Sequence, residues 1–292
     1  MRRLPRPDGV ARVDFLKTKY GRELLVDASM TSQLRDFDRG GAPHTLTFFD
    51  ILLVTAGRGT FELDGTAHPV RPGEVFFTRP GEVRVWRADG LEGACLFFAA
   101  GFVGEIFADP RILDAFGYFA PHRPSARVRL APAQRRAFLS RFTQMLGEFH
   151  APARDSGDVL RASLYELLVL LNRWYVAAHG AVPRPAAGSV VDRFTRLVER
   201  DYRTRQRVSD YADELGLTPG HLNALCRSQA GRSAGAIIRS RVITEARRLL
   251  RYSDQPASQV GYLLGFGDPA YFTRFFRRET GMTPTGFRAT AS

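Results

Sequence analysis

The chain has 292 residues, enough for about two domains at ~100–200 residues each, and its 44% hydrophobic and 25% charged content is that of a protein with real cores. The net charge is +12 at pH 7, almost all of it arginine because Lys17 and Lys19 are the only lysines, and it points to a polyanionic partner: nucleic acid or an acidic membrane surface. No run of ~18 apolar residues occurs and no apolar stretch follows the basic Met1–Asp8, which excludes a spanning helix and a secretory signal. Two cysteines, Cys95 and Cys226, exclude a disulfide framework and a four-cysteine zinc site and predict a reduced, cytoplasmic protein without a membrane partner.

Residues 1–42 carry no pattern that assigns them a role. Residues 44–100 read as short strands. Phe48–Thr55 is apolar and β-branched, Gly57-Arg58-Gly59 reads as a turn, and Thr60–Leu63 alternates up to the hairpin signal Asp64-Gly65. Glu74–Thr78, Val83–Trp86 and Ala94–Phe98 follow, separated by Pro72-Gly73 and Pro80-Gly81, at the spacing of a sandwich or small barrel. The period then changes to that of helices. Ala133–His150 places Phe138, Leu139, Phe142, Met145, Leu146 and Phe149 on one face, and a second helix over about 155–178 carries a broad apolar face. Two readings of that face stay open: packing on its own barrel, or also a dimer seam through Leu160, Leu164, Leu167, Leu171 and Trp174. One small sheet offers little area to cover both helices, so a homodimer is expected.

Gly180–Gly188, rich in Pro, Gly and Ala, reads as a linker. Beyond it, residues 189–292 carry net +7 and repeat themselves at an offset of 50. Leu222, Leu225, Cys226, Arg227 and Gly231 align with Phe272, Phe275, Phe276, Arg277 and Gly281; upstream, Ala212-x3-Gly216 matches Gly261-x3-Gly265, with one extra residue in the second turn. A small residue where helices cross, then a glycine at a sharp turn, then a buried stripe is the pattern of a helix-turn-helix, whose second helix enters the DNA major groove. Between the copies, Ala234–Arg251 is a third helix, about 27 Å long at ~1.5 Å per residue. A stiff connector of that length suits two readers in neighbouring grooves about 34 Å apart.

Gly216-Leu217-Thr218-Pro219, Leu222, Leu225, Arg227, Gly231, Ala246, Leu249-Leu250, Val260, Gly265-Phe266, Tyr271-Phe272, Phe275-Phe276-Arg277-Arg278-Glu279-Thr280-Gly281 and Thr283-Pro284 together resemble the DNA-binding domain of AraC/XylS-type transcription regulators over about residues 190–288. The resemblance implies two helix-turn-helix units joined by a linker helix and a bacterial regulator, more often an activator, in which case RNA polymerase is a further partner. The groove-facing positions are then Gly220, His221, Asn223, Ala224 and Arg227 in one unit and Ala270, Thr273, Arg274, Arg277 and Arg278 in the other. By similarity Asn223 and Arg274 are the strongest base readers, for adenine and guanine. Thr273 suits a base or methyl contact, and Arg227, Arg277 and Arg278 suit phosphates of double-stranded DNA. Gly220 and Ala224 make the first unit the weaker reader.

Pro43–Ile51, Gly57-x-Gly59, Pro72-Gly73-Glu74-Val75 and Pro80–Arg84 are similar to a cupin barrel over about residues 43–100. Catalytic cupins carry a His-x-His pair, a Glu and a later His; here the positions read His44-x-Leu46, Asp50 and Arg84. Leu46 cannot ligate and Arg84 is a permanent cation, so no metal or other cofactor is expected. His44, Asp50, Arg84, Trp86 and Phe97 become candidates for a small anionic or aromatic effector, provided that their strand faces point inward. The expected architecture is α+β and multidomain: a cupin-like β-barrel with two flanking helices (residues 1–179), a linker (180–188), and an all-α domain of two helix-turn-helix motifs with a linker helix (189–292). The expected function is sequence-specific transcription regulation under effector control, not enzyme activity. The alternatives are a metal-dependent cupin enzyme, a DNA alkyl-repair protein, and a constitutive DNA-binding protein with a structural barrel.

Overall fold

The computed structural model describes residues 2–4, 10–15, 25–34, 41–107, 112–120, 123–183 and 188–289. The chain divides into two compact units, residues 1–182 and 183–292. Residues 184–187 of the expected linker and parts of 1–42 lie outside the described residues.

The first unit is β-rich. Among the described residues its strands are β1 (Arg2–Leu4), β2 (Ala11–Asp14), β3 (Val26–Met30), β4 (His44–Leu46), β5 (Phe49–Leu63), β6 (Thr66–Val70), β7 (Glu74–Thr78), β8 (Val83–Phe98) and β9 (Arg127–Arg129). They form one sheet in the order β1-β2-β4-β8-β5-β7-β9, with β3 added to β8 and β6 to β5. Among the described residues the pairing does not close into a ring, so the expected barrel is an open sheet. β5 and β8 are each one long strand where the sequence predicts two short ones. Gly57 and Gly59, read as a turn, lie inside β5, Gly57 at a bulge of its ladder with β8 and Gly59 in register with Ala88 just past it. Both have positive φ, and a Cβ on Gly57 would sit 2.7 Å from the Gly90 carbonyl oxygen. Glycine is there to let two backbones approach while the strand bends, which the pattern of a turn mimics.

Both faces of this sheet are covered, which is why Phe48–Val54 is apolar on both faces apart from Asp50. Phe49, Ile51, Leu53, Leu96 and Phe98 pack outward against α1 (Ala100–Phe107), α2 (Pro132–His150), α3 (Ser156–His179) and an aromatic wall of Tyr118 and Phe119. Phe48, Leu52, Phe61, Phe76, Trp86, Cys95 and Phe97 pack on the opposite, inner face. The outer face corrects the expected dimer seam. Leu160, Leu164, Leu167 and Leu171 are 0% exposed, taken up by the unit's own core, and only Trp174 is half-buried at its edge. The aromatic wall supplies the area that the sheet alone lacks.

The second unit is all-helical: α4 (Val190–Asp201), α5 (Val208–Glu214), α6 (Pro219–Ala230), α7 (Ala234–Tyr252), α8 (Ala257–Leu263), α9 (Pro269–Thr280) and α10 (Pro284–Ala289). One contiguous core unites Leu222 and Cys226 of α6, Ile237, Ile238, Val242 and Leu250 of α7, and Phe272, Phe275 and Phe276 of α9. No helix among the described residues is long and apolar enough to cross a membrane.

Candidate nucleic-acid interface and ligand cavity

The sequence repeat is a repeat of backbone hydrogen bonds. After α5 the Leu217 amide returns to the Ala212 carbonyl at 2.9 Å; after α8 the Phe266 amide returns to the Gly261 carbonyl at 3.0 Å. Gly216 (φ 69°) and Gly265 (φ 82°) make the two turns in the left-handed region. Thr218 then caps α6, its hydroxyl accepting from the His221 amide at 3.2 Å, and Asp268 caps α9, accepting from the Ala270 and Tyr271 amides at 2.8 and 3.1 Å. The extra residue of the second turn is Gly267. The second crossing needs the smaller residue: a Cβ on Gly261 would press on the Phe272 side chain at 3.1 Å, whereas at the repeat position the first copy carries Ala212 and, for Phe272, Leu222.

These turns set which side chains the second helices expose. On α6 they are Gly220, His221, Ala224, Arg227 and Ser228; on α9 they are Ala270, Tyr271, Arg274, Arg277 and Arg278. Asn223 is not among them. It is half-buried, its Nδ2 donates to the Pro219 carbonyl and its Oδ1 accepts from the Ala234 amide, both at 3.0 Å. The expected adenine reader therefore ties α6 to the start of α7. Thr273, its repeat partner, is also half-buried and donates its hydroxyl to the Pro269 carbonyl at 2.9 Å. Sequence reasoning passed over Tyr271, which is 52% exposed. The signal was available, since Tyr271 stands at the offset of His221. Arg274 has a 68% exposed side chain, 3.8 Å from Asp268 and 6.0 Å from the Tyr271 ring centre.

α7 is 19 residues long, about 28 Å at ~1.5 Å per residue, and its arginines are not simply a solvated face. Glu245, 3% exposed, accepts from Arg203 at 2.9 Å, Arg248 at 3.0 Å and Arg241 at 3.4 Å. Arg241 also pairs with Glu199 at 2.7 Å and lies 3.9 Å from the centre of the Tyr202 ring. The segment between α4 and α5 thereby holds α7, and Gln206 donates onward to the Leu264 carbonyl beside the second turn. Arg239 reaches Glu279 at the end of α9 at 3.2 Å.

In the first unit a cavity of about 560 Å³ opens on the inner face of the sheet, bordered by Asp50, Leu52, Arg84, Trp86, Cys95 and Phe97, with Thr31, Leu34, Gly41 and Leu91 among its other walls. The inward direction of Trp86 and Phe97, which the sequence left open, is thus the observed one. Arg84 is 5% exposed; its Nη1 pairs with Asp50 and its Nε donates to His44 Nε2 at 2.9 Å. An arginine only donates, so His44 Nε2 is unprotonated and Nδ1 carries the hydrogen toward the Ala42 carbonyl 3.0 Å away. Two expectations are corrected here. His44 stands behind Arg84 and does not border the cavity, and Arg84 is not a lone cation because Asp50 balances it. Its Nη2 group has no hydrogen-bond partner among the described residues.

Burial pushes the Cys226 thiol up to about 11, where almost no thiolate forms at neutral pH, and Cys95 is 4% exposed.

A sheet unit with an internal cavity and a helical unit with two exposed reading helices, carried on one chain, define a two-domain transcription regulator. Residues 34–169 match the AraC-like ligand binding domain and residues 211–290 match a helix-turn-helix domain. The arabinose operon regulatory protein of Salmonella typhimurium is 26% identical over 81% of this chain and 82% of its own length. The HTH-type transcriptional activator RhaS of Citrobacter koseri is 24% identical over 84% of this chain and 86% of its own. A solved structure of ToxT from Vibrio cholerae aligns over 90% of this chain and 97% of that one, at 10% identity and a TM-score of 0.42. In chain order its two units thus match an AraC-like ligand binding domain and a helix-turn-helix domain, the pairing expected of an AraC-type transcription regulator.

Proposed function

We propose that this regulator is a cytoplasmic, effector-responsive activator that sets α6 and α9 into adjacent major grooves of operator DNA. One observation carries the reading: two helix-turn-helix units with the same turn and cap geometry share one core across a 19-residue helix. A contact with RNA polymerase and a homodimeric state belong to the same proposal, as what an activator at a promoter requires; the buried leucines of α3 do not supply the dimer interface. The DNA-facing set is His221, Arg227, Ala270, Arg274, Arg277 and Arg278, with Gly220 letting the backbone approach. The effector set is Arg84, Asp50, Trp86 and Phe97. A molecule with an acceptor oxygen for Arg84 Nη2 and a flat or apolar body for Trp86 and Phe97 suits the cavity.

The enzyme alternatives draw less support. His44 Nε2 and Asp50 already hold Arg84, which leaves poor metal ligands. Alkyl repair needs a nucleophilic thiolate, and Cys226 is shifted the other way. The test is footprinting of the purified chain on DNA from its own source at near-physiological salt. Protection in two blocks about 10 base pairs apart is expected; protection without any preferred sequence would overturn the reading. A thermal shift with one member of a metabolite panel separates a sensor from a constitutive binder.

A further inference from the structure

The two reading helices match in backbone and differ in what they offer to DNA. Compared at the offset of 50, His221 corresponds to Tyr271, Ala224 to Arg274, Arg227 to Arg277 and Ser228 to Arg278. Discrimination between base pairs needs donors, acceptors or bulk that reach the groove floor. α6 has little of this. Gly220 and Ala224 present no polar atom, and the Asn223 amide is committed at both ends to the Pro219 carbonyl and the Ala234 amide. What α6 does expose is Arg227, which has no ion-pair partner among the described residues, with Ser228 and His221 on the same face. Arg227 and Ser228 stand at the offsets of Arg277 and Arg278, the positions suited to phosphates, and phosphate contacts carry affinity but no sequence information.

α9 is the opposite case. Arg274 projects between the Tyr271 ring and Asp268, and Asp268 is itself fixed by its two cap hydrogen bonds. A planar guanidinium near a fixed carboxylate and a ring arrives at a guanine edge already oriented. Tyr271 adds a rigid aromatic surface one turn nearer the helix start.

We infer that the two helices have separate roles on DNA. α9 selects the sequence through Arg274 and Tyr271, and α6 anchors the backbone one helical turn away without selecting. The inference rests on the proposed placement of both helices in adjacent grooves. The operator is then one conserved block beside a second block that is protected by the protein yet variable in sequence.

The experiment is selection of bound duplexes from a randomised pool by the full chain, followed by hydroxyl-radical footprinting of the winners. One conserved block with protection over two turns is expected. A wrong base pair under α9 should weaken binding about 5- to 150-fold, and one under α6 less than about 3-fold. Ala224→Arg, at an exposed position, should create a second conserved position while leaving the first block unchanged. Two equally conserved blocks for the wild type would overturn the division of labour and leave the two-groove placement standing. Protection confined to one turn would overturn the placement itself. Protection over two turns with no conserved block would overturn the role given to Arg274 and Tyr271. A second block that stays variable in Ala224→Arg would overturn the claim that a missing side chain is the cause.

Discussion

Gly216 and Gly265 occupy the same place in the two turns and have similar positive φ, yet their surroundings differ. Nothing lies within 4 Å of a Cβ built on Gly216. A Cβ on Gly265 would run into the Arg203 carbonyl, closer than real Cβ atoms come, with the Gln206 side chain in ordinary contact at 3.6 Å. Gly216→Ala therefore costs only the left-handed backbone penalty, about 1 kcal/mol. Gly265→Ala adds an overpacking term of about 1–3 kcal/mol, because the obstacle is backbone and must move as a segment. That segment carries Arg203 to Glu245 and Gln206 to Leu264, so relief of the clash disturbs both links. At about 4–8 °C per kcal/mol for a domain of this size, the melting temperature of the second unit should fall by about 4–8 °C in Gly216→Ala and by about 8–32 °C in Gly265→Ala. Trp86 and Trp174 both lie in the first unit, so tryptophan fluorescence follows that unit and should not shift. The helical signal in the far ultraviolet carries both units, so a transition seen there without a matching change in tryptophan fluorescence belongs to the second. Equal losses in the two variants would refute the argument that the Arg203 backbone, not φ alone, decides the cost.

Arg84→Met leaves the buried Asp50 carboxylate without its guanidinium and should cost about 3–5 kcal/mol, whereas the double change with Asp50→Leu should recover most of it; urea unfolding of the first unit measures both, and an unrecovered double variant would count against the pairing. Cys226, with its thiol pushed up to about 11, should resist iodoacetamide in the native chain and react once urea unfolds the second unit; peptide mass mapping reads this, and native labelling would contradict the burial. Burial, with Arg127 and Arg123 nearby, holds the His68 imidazole below its usual 6.5. The unfolded chain then binds this proton more readily than the folded one, so this group removes stability as pH falls through about 6.5 toward the lower folded value. Glu74, raised by burial, acts in the opposite sense as pH falls toward the ordinary carboxylate range. The urea midpoint should therefore drop less between pH 7.5 and 5.5 in His68→Asn than in the wild type, and an identical drop would refute the assignment.

The helical unit was legible because its signals are local and stated twice. Gly216 and Gly265, Thr218 and Asp268, Gly231 and Gly281 each mark a turn or cap in both copies, and the buried stripes fall between them. Face assignment within those helices was less secure, because one residue's rotation decides it: Asn223 reads as exposed by spacing, but the arriving α7 offers it a backbone amide at Ala234. In the sheet unit the strand positions were legible and their continuity was not. Gly57-Arg58-Gly59 has the composition of a turn, and only the long-range pairing with 87–92 shows that it is a bulge. The fate of the α3 leucines was also beyond the sequence, since their cover includes Tyr118 and Phe119, which belong to short helical turns without a periodic pattern. Arg84 was singled out by its place in the cupin-like pattern, but its counter-ion was not legible there: in the β5–β8 ladder Asp50 stands opposite Phe97 and Arg84 opposite Leu63, so the two meet only through the three-dimensional course of the sheet.

That counter-ion has a bearing on how salt acts on the whole regulator. With Arg84 on Asp50 and the other arginine of the wall, Arg87, on Glu62 at 3.2 Å, the pocket is nearly electroneutral, so filling it exchanges hydrogen bonds and apolar surface, with little net charge brought together. The helical unit has the reverse character: its exposed arginines release counter-ions on meeting DNA, and its affinity falls steeply as salt rises. An ionic-strength change in the cell would therefore move DNA occupancy while leaving the effector's dissociation constant almost unchanged. Osmotic state and effector concentration would then reach the promoter as two independent inputs, one read by each half of the chain.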